Sequence, residues 1–258
     1  MKSQRMVEVG EAVLESVIYG SGDTVILLPG GGCGVSYFDP FAQTLAAAGF
    51  RAVAVNPRGV SESTGSLEGL TLHHLAADIA GVIEAFADAS VHVLGHAFGN
   101  RIARCLAVDH PDLVRSVILL AAGGLVGPDP ETHAPVQRLL RQGISEAERL
   151  ELMKAVYLSP ASDPRVLLQL EQWPDVTAAQ MAASQATPLD DWWEGGTAPL
   201  LVVQGLDDRR APPGNGRALR DQMGARVRLV EIPQAGHLAL LEQPQAVADA
   251  VIAFLREH

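Results

Sequence analysis

Three separated segments carry groups able to move a proton or steady a negative charge. The first is the run Gly30-Gly31-Gly32, whose backbone N–H groups no side chain shields, followed by the thiol of Cys33. The second is Gly95-His96-Ala97-Phe98-Gly99, and the third comprises Asp207, Asp208 and, further along, His237. An imidazole titrates near neutral pH, so it can take up and return a proton within one catalytic cycle. Taken singly, these residues have plainer readings: a lone His between Gly and Leu is commonly a surface-turn residue, and a lone Asp an ordinary turn former. His96 is expected to be packed and hydrogen-bonded rather than reactive. His73, His74, His92, His110, His133 and His258 show no ligand spacing, so no metal is expected.

Composition narrows the field. With 258 residues, 48% of them hydrophobic, the chain can bury a large core. Its 19 Lys+Arg against 30 Asp+Glu leave a net charge of -11. No basic stripe exists to meet a duplex, and anionic substrates are weakly disfavoured. Cys33 and Cys105 are too few for a disulfide scaffold and form no CxxC pair, which suits a reducing, cytoplasmic setting. Lys2 and Arg5 precede no apolar leader, and no apolar stretch approaches the ~18 residues of a membrane span, so no membrane partner is expected. The glycine run lacks the Lys and Ser/Thr of a phosphate loop, and no GxGxxG follows the first strand; no cofactor is expected.

The elements that must position these groups follow from patterning. Runs rich in Val, Ile and Leu at 13–19, 24–28, 51–55, 91–94, 114–121, 199–204 and 227–232 read as strands. Thr24 to Leu28 and Val117 to Leu120 are apolar on consecutive positions, as in strands covered on both faces. Helical periodicity links Leu72, Leu75, Ile79, Val82 and Phe86, and again Val247, Val251 and Leu255. Pro244 suits a first helical turn, and Gly49 suits a helix stop after Phe38 to Ala48. Alternating strand and helix predict a three-layer α/β sandwich. The alternation breaks at 127–197, where prolines punctuate short helical pieces and all three tryptophans, Trp173, Trp192 and Trp193, fall. This segment reads as an inserted helical cap on a core of 1–126 and 198–258. Its large side chains either dock the insert or line a pocket.

A strand running through Gly95-His96-Ala97-Phe98-Gly99 into a helix resembles the nucleophile elbow of the α/β-hydrolase fold, G-x-S-x-G. The resemblance spans nearly the whole chain. Leu28-Pro29-Gly30-Gly31-Gly32 is similar to that family's oxyanion loop, with Pro29 where His is usual. Asn56-Pro57-Arg58-Gly59-Val60-Ser61-Glu62-Ser63 is similar to its D-x-R-G-x-G-x-S loop, with Asn and Ser replacing Asp and the second Gly. Gly205 to Pro212 resembles the segment carrying the acid, and Ala235-Gly236-His237 the histidine loop. The resemblance implies a mostly parallel sheet of about eight strands with a helical cap. It implies His237 as base and Asp208, rather than Asp207, as its partner. It further implies an oxyanion hole from the N–H groups of Gly31 and Phe98. Gly32, Cys33, Tyr157, Trp192 and Trp193 are then expected to contact substrate.

The departure is Ala97, at the nucleophile position. A methyl group cannot attack a carbonyl, so no acyl-enzyme forms there. Either a serine was replaced to give an inactivated form, or alanine is native and His237 activates water. The expected function is hydrolysis of a small to medium apolar ester, lactone or related carbonyl compound. A ligand-binding protein on a hydrolase scaffold, or a cofactor-free lyase or oxygenase, stands as the alternative. Cys33 is a conceivable substitute nucleophile and Ser36 a weaker one. Elbow enzymes that need Asp, the haloalkane dehalogenases and epoxide hydrolases, do not fit. A homodimer is left open.

Overall fold

Every strand but the first was signalled by an apolar run. In the computed structural model, which describes residues 2–86, 89–139, 141 and 143–258, they form one sheet. The strands are β1 (Lys2–Val9), β2 (Ala12–Gly20), β3 (Thr24–Leu28), β4 (Arg51–Val55), β5 (Val91–His96), β6 (Val114–Leu120), β7 (Leu200–Gly205) and β8 (Val227–Ile232). Their order is β1-β2-β4-β3-β5-β6-β7-β8, parallel from β4 to β8, with β1 and β2 antiparallel at one edge. β1 escapes a hydrophobicity search because only Val7 is buried along it. Its register against β2 runs from Lys2 opposite Tyr19 to Val9 opposite Ala12, and charged side chains guard the outer edge.

Period-two alternation sends neighbouring strand residues into different cores. Ile26, Leu28, Val53, Val93 and Val117 join one cluster; Val25, Leu27, Ala52, Leu94 and Ile118 join the other. The second face is covered by α1 (Asp39–Ala47) and, near the C-terminus, by α8 (Ala239–Glu242) and α9 (Pro244–Leu255). The first is covered by α2 (Leu72–Phe86), α3 (Gly99–Asp109) and Leu219 of α7 (Gly214–Met223). These are the three layers expected from the alternation. Pro244 opens α9 in its first turn, and Gly49 follows α1 at φ 96°, where a Cβ would be strained.

Between β6 and β7 lie α4 (His133–Leu139), α5 (Glu146–Tyr157) and α6 (Pro174–Ala186). Ser145 caps α5 by accepting from the Glu148 N–H at 3.1 Å. Below the sheet edge, Arg58 makes a two-point ion pair with Asp78 of α2, at 2.7 and 2.9 Å, both partners buried. That pair fixes the loop after β4. Among the described residues, no helix is long and apolar enough to cross a membrane.

Candidate active site

The chain reverses its direction of travel across the sheet at β3, which has β4 on one side and β5 on the other. The loops leaving the C-terminal ends of parallel strands at such a switch point diverge and leave a crevice. Here they are the glycine run after β3 and the elbow after β5.

At the elbow, β5 passes into α3 so tightly that two positions exclude any side chain. A Cβ on Gly95 would fall 2.4 Å from the Asn100 nitrogen, and one on Gly99 would fall 2.3 Å from the Leu28 carbonyl oxygen. Ala97 between them has φ 50°, a left-handed conformation that costs a non-glycine residue energy and turns its side chain outward. Its N–H donates to the Leu120 carbonyl at 2.9 Å, which steadies the turn against β6. A Cβ on Gly31 would lie 3.4 Å from the Phe98 Cβ, so the two residues face each other. Neither the Gly31 nor the Phe98 N–H has a hydrogen-bond partner among the described residues.

His237 follows β8 and Asp208 follows β7. The His237 Nδ1 lies 3.0 and 3.1 Å from the two Asp208 carboxylate oxygens, with the residues 8% and 2% exposed. Asp208 also accepts from the backbone N–H groups of Arg210 and Ala211 at 2.9 and 2.7 Å, and from Gln204 Nε2 at 3.2 Å. Three such donors hold the carboxylate aimed at the ring. Asp207 instead accepts from the Ser159 hydroxyl at 2.6 Å, which removes it as the histidine's partner. The His237 Nε2 has no partner among the described residues, and the ring lines a cavity of about 370 Å³ together with Gly31, Ala97 and Phe98.

A family model described as the alpha/beta hydrolase family matches residues 25–250. The chain belongs to the alpha/beta hydrolase family. It is 29% identical over 260 residues to the protein of Mycobacterium tuberculosis H37Rv named "Putative non-heme bromoperoxidase BpoC", covering 91% of this chain and 94% of that one. The crystal structure of that protein matches with a TM-score of 0.79 at 27% identity, over 95% and 96% of the two chains. "Rhodomycin D methylesterase DauP" of Streptomyces sp. strain C5 is 27% identical over 305 residues, covering 98% of each chain.

Within this alpha/beta hydrolase, Cys33 and Tyr157 line the cavity. Burial pushes the Cys33 thiol up to about 11, the opposite of what a nucleophile needs. Ser36 lies outside the lining, with its hydroxyl on Glu171 at 3.3 Å. Three of the residues expected to contact substrate lie outside this lining. Gly32 does not line the cavity: its N–H donates to Gln180 Oε1 at 2.8 Å and its carbonyl accepts from Trp173 N–H at 2.7 Å, so it is packed beneath α6. Trp192 and Trp193 are absent from the lining as well. Their rings sandwich the fully buried guanidinium of Arg104 at 4.5 and 5.0 Å, and they sit behind Gly124. Both rings thus dock the segment onto α3.

His96 is packed and hydrogen-bonded. Its Nε2 must donate to the His237 carbonyl at 3.0 Å, so Nδ1 accepts from the Tyr37 hydroxyl at 2.9 Å. The Tyr37 oxygen in turn accepts from the Gly30 N–H at 2.9 Å. One neutral imidazole thus ties the glycine run, the elbow and the histidine loop together, and burial beside His237 lowers its pKa to about 4. Sequence reading missed Glu242, which accepts from the N–H groups of Gly236 and Leu238 at 2.9 and 3.1 Å and clamps the loop on either side of His237. It missed Arg101 and Arg210 too, both in the lining. Their offsets from Ala97, four residues, and from Asp208, two, were the available signal. The structure also brings His73, Cys105 and Asp109 within 4.8 Å of one another, a grouping hidden by their separation along the chain. There His73 Nδ1 lies 2.8 Å from Asp109 Oδ2 and 3.4 Å from Cys105 Sγ.

Proposed function

We propose that the protein hydrolyses a small to medium carbonyl compound, an ester or lactone, by direct attack of water. The space above the Ala97 methyl admits the water. His237 Nε2 takes its proton while Asp208 holds Nδ1 and stabilises the resulting imidazolium. The water oxygen bonds to the carbonyl carbon, and the carbonyl electron pair becomes an oxyanion held by the N–H groups of Phe98 and Gly31. Collapse of that intermediate breaks the bond to the leaving oxygen, which receives the proton from His237, giving an acid and an alcohol. The segment 127–197 serves as a cap over a core of 1–126 and 198–258.

The observation that carries this reading is the juxtaposition of an oriented imidazole, a methyl-bearing elbow and two unpartnered N–H groups around one cavity. A nucleophilic side chain at 97 is not needed for base catalysis, which by itself contributes about 10²- to 10⁴-fold. On a panel of short-chain esters and lactones, His237→Ala is expected to lower kcat/KM by roughly 100-fold or more. Turnover unchanged by that substitution would overturn the proposal. Ala97→Ser should add a transient acyl mass to the protein that the parent chain never shows.

A further inference from the structure

Among the described residues, the cavity of this acidic chain is lined by two arginines and by no acid that answers them. Arg101 stands on α3 four residues past Ala97, and Arg210 two residues past Asp208; both line the cavity with His237. Neither takes part in an ion pair among the described residues. The contrast with Arg209 is direct, since that neighbour pairs with Asp129 and Glu131. Asp208 receives the backbone N–H of Arg210, not its guanidinium, and is committed to His237. Arg101 donates one N–H to the Ser184 hydroxyl and lies over the Trp192 ring at 5.4 Å, which leaves its other donors unclaimed.

Burial disfavours the charged form of Arg101, and Arg210 adds repulsion. Behind them Arg104, fully buried, is met by carbonyl oxygens of Asn100, Trp193 and Gly123 rather than by a carboxylate. A guanidinium does not shed its proton in a protein, so this positive field persists until an anion arrives. The Tyr157 hydroxyl sits beside Arg210 and offers one more donor. Much of the remaining wall is apolar, with Phe98, Val126, Met153, Leu170 and Met181.

We infer that the substrate is a carbonyl compound that also bears a carboxylate, its apolar body against the methionine-rich wall and its carboxylate held between Arg101 and Arg210. This deepens the hydrolytic reading of the same site and rests on it. A carboxylate presents two coplanar oxygens, which planar guanidinium forks match, while the apolar lining suits a hydrocarbon body. The net charge of -11 does not oppose this, because it sums the whole chain, whereas a ligand feels the groups facing its cavity.

Binding of two probes of equal size, phenylbutyrate and its neutral amide, tests the inference by titration calorimetry on the full chain. The carboxylate is expected to bind about tenfold or more tightly than the amide. Arg101→Gln and Arg210→Gln should each shrink that preference, and His237→Ala should keep it. Equal affinities, no binding of the carboxylate, a preference that survives both arginine changes, or one abolished by His237→Ala would each overturn it. The readout is binding, so a failed hydrolytic mechanism, seen as turnover indifferent to His237, is recognised separately.

Discussion

At the scale of single residues, two buried histidines write a pH dependence into the fold. His92 and His96 are both lowered from 6.5 to about 4, chiefly by burial. Between those values the unfolded chain takes up protons that the folded one refuses. Their contribution to stability is therefore complete above about pH 6.5 and is lost as pH falls toward 4. Each amounts to about 3 kcal/mol as an upper figure. Thermal melts should show Tm falling across that window, and His92→Gln, which leaves the site untouched, should flatten the fall. A melt with the same pH slope in parent and variant would show that burial does not hold His92 neutral. Glu242 offers a second residue-scale prediction: Glu242→Ala removes the acceptor of the Gly236 and Leu238 N–H groups. Leaving those donors unpaired costs about 1–3 kcal/mol, and kcat should drop more than stability predicts because His237 loses its fixed approach.

At the scale of elements, the elbow and the glycine run depend on backbone approaching backbone. Gly99→Ala would force a Cβ against the Leu28 carbonyl, with no flexible side chain to yield. The expected loss is on the order of 3 kcal/mol or more, read from denaturant midpoints. An unchanged midpoint would mean that the turn opens more easily than its geometry implies. Strands and elbow were legible because each leaves a local signature, an apolar run and paired glycines; Asp208 and His237, ordinary turn residues when read singly, stood out only through the family resemblance of the segments that carry them. β1 was not, since an exposed edge strand bonds through its backbone and carries charge on its outer side. Trp192 and Trp193 misled for a related reason. Aromatic content says that a surface is buried but not against what, and their partner, Arg104, lies on α3 far earlier in the chain. Arg101 and Arg210 were silent for the converse reason: an arginine's lack of a partner is a property of the folded neighbourhood alone.

At the scale of the whole molecule, two ties hold distant parts in register. The Arg58–Asp78 pair is buried on both sides, so Asp78→Asn leaves the guanidinium only the exposed Glu11 carboxylate as a charged partner. With Glu11 retained, the cost should be about 2–4 kcal/mol in chemical denaturation, and a change below 1 kcal/mol would show the pair to be solvated. The other tie joins the glycine run to the segment between β6 and β7. Cys33 and Gln172 form an antiparallel bridge, Gly34 N–H donates to the Glu171 carbonyl at 3.2 Å, and Gln180 reaches Gly32. A roof stitched to its own threshold in this way cannot swing on a hinge without tearing the groups that would steady the reaction. On the hydrolytic reading proposed above, entry would then fall to bending side chains such as Met153 and the half-exposed Met181, and girth rather than a gate would set admission.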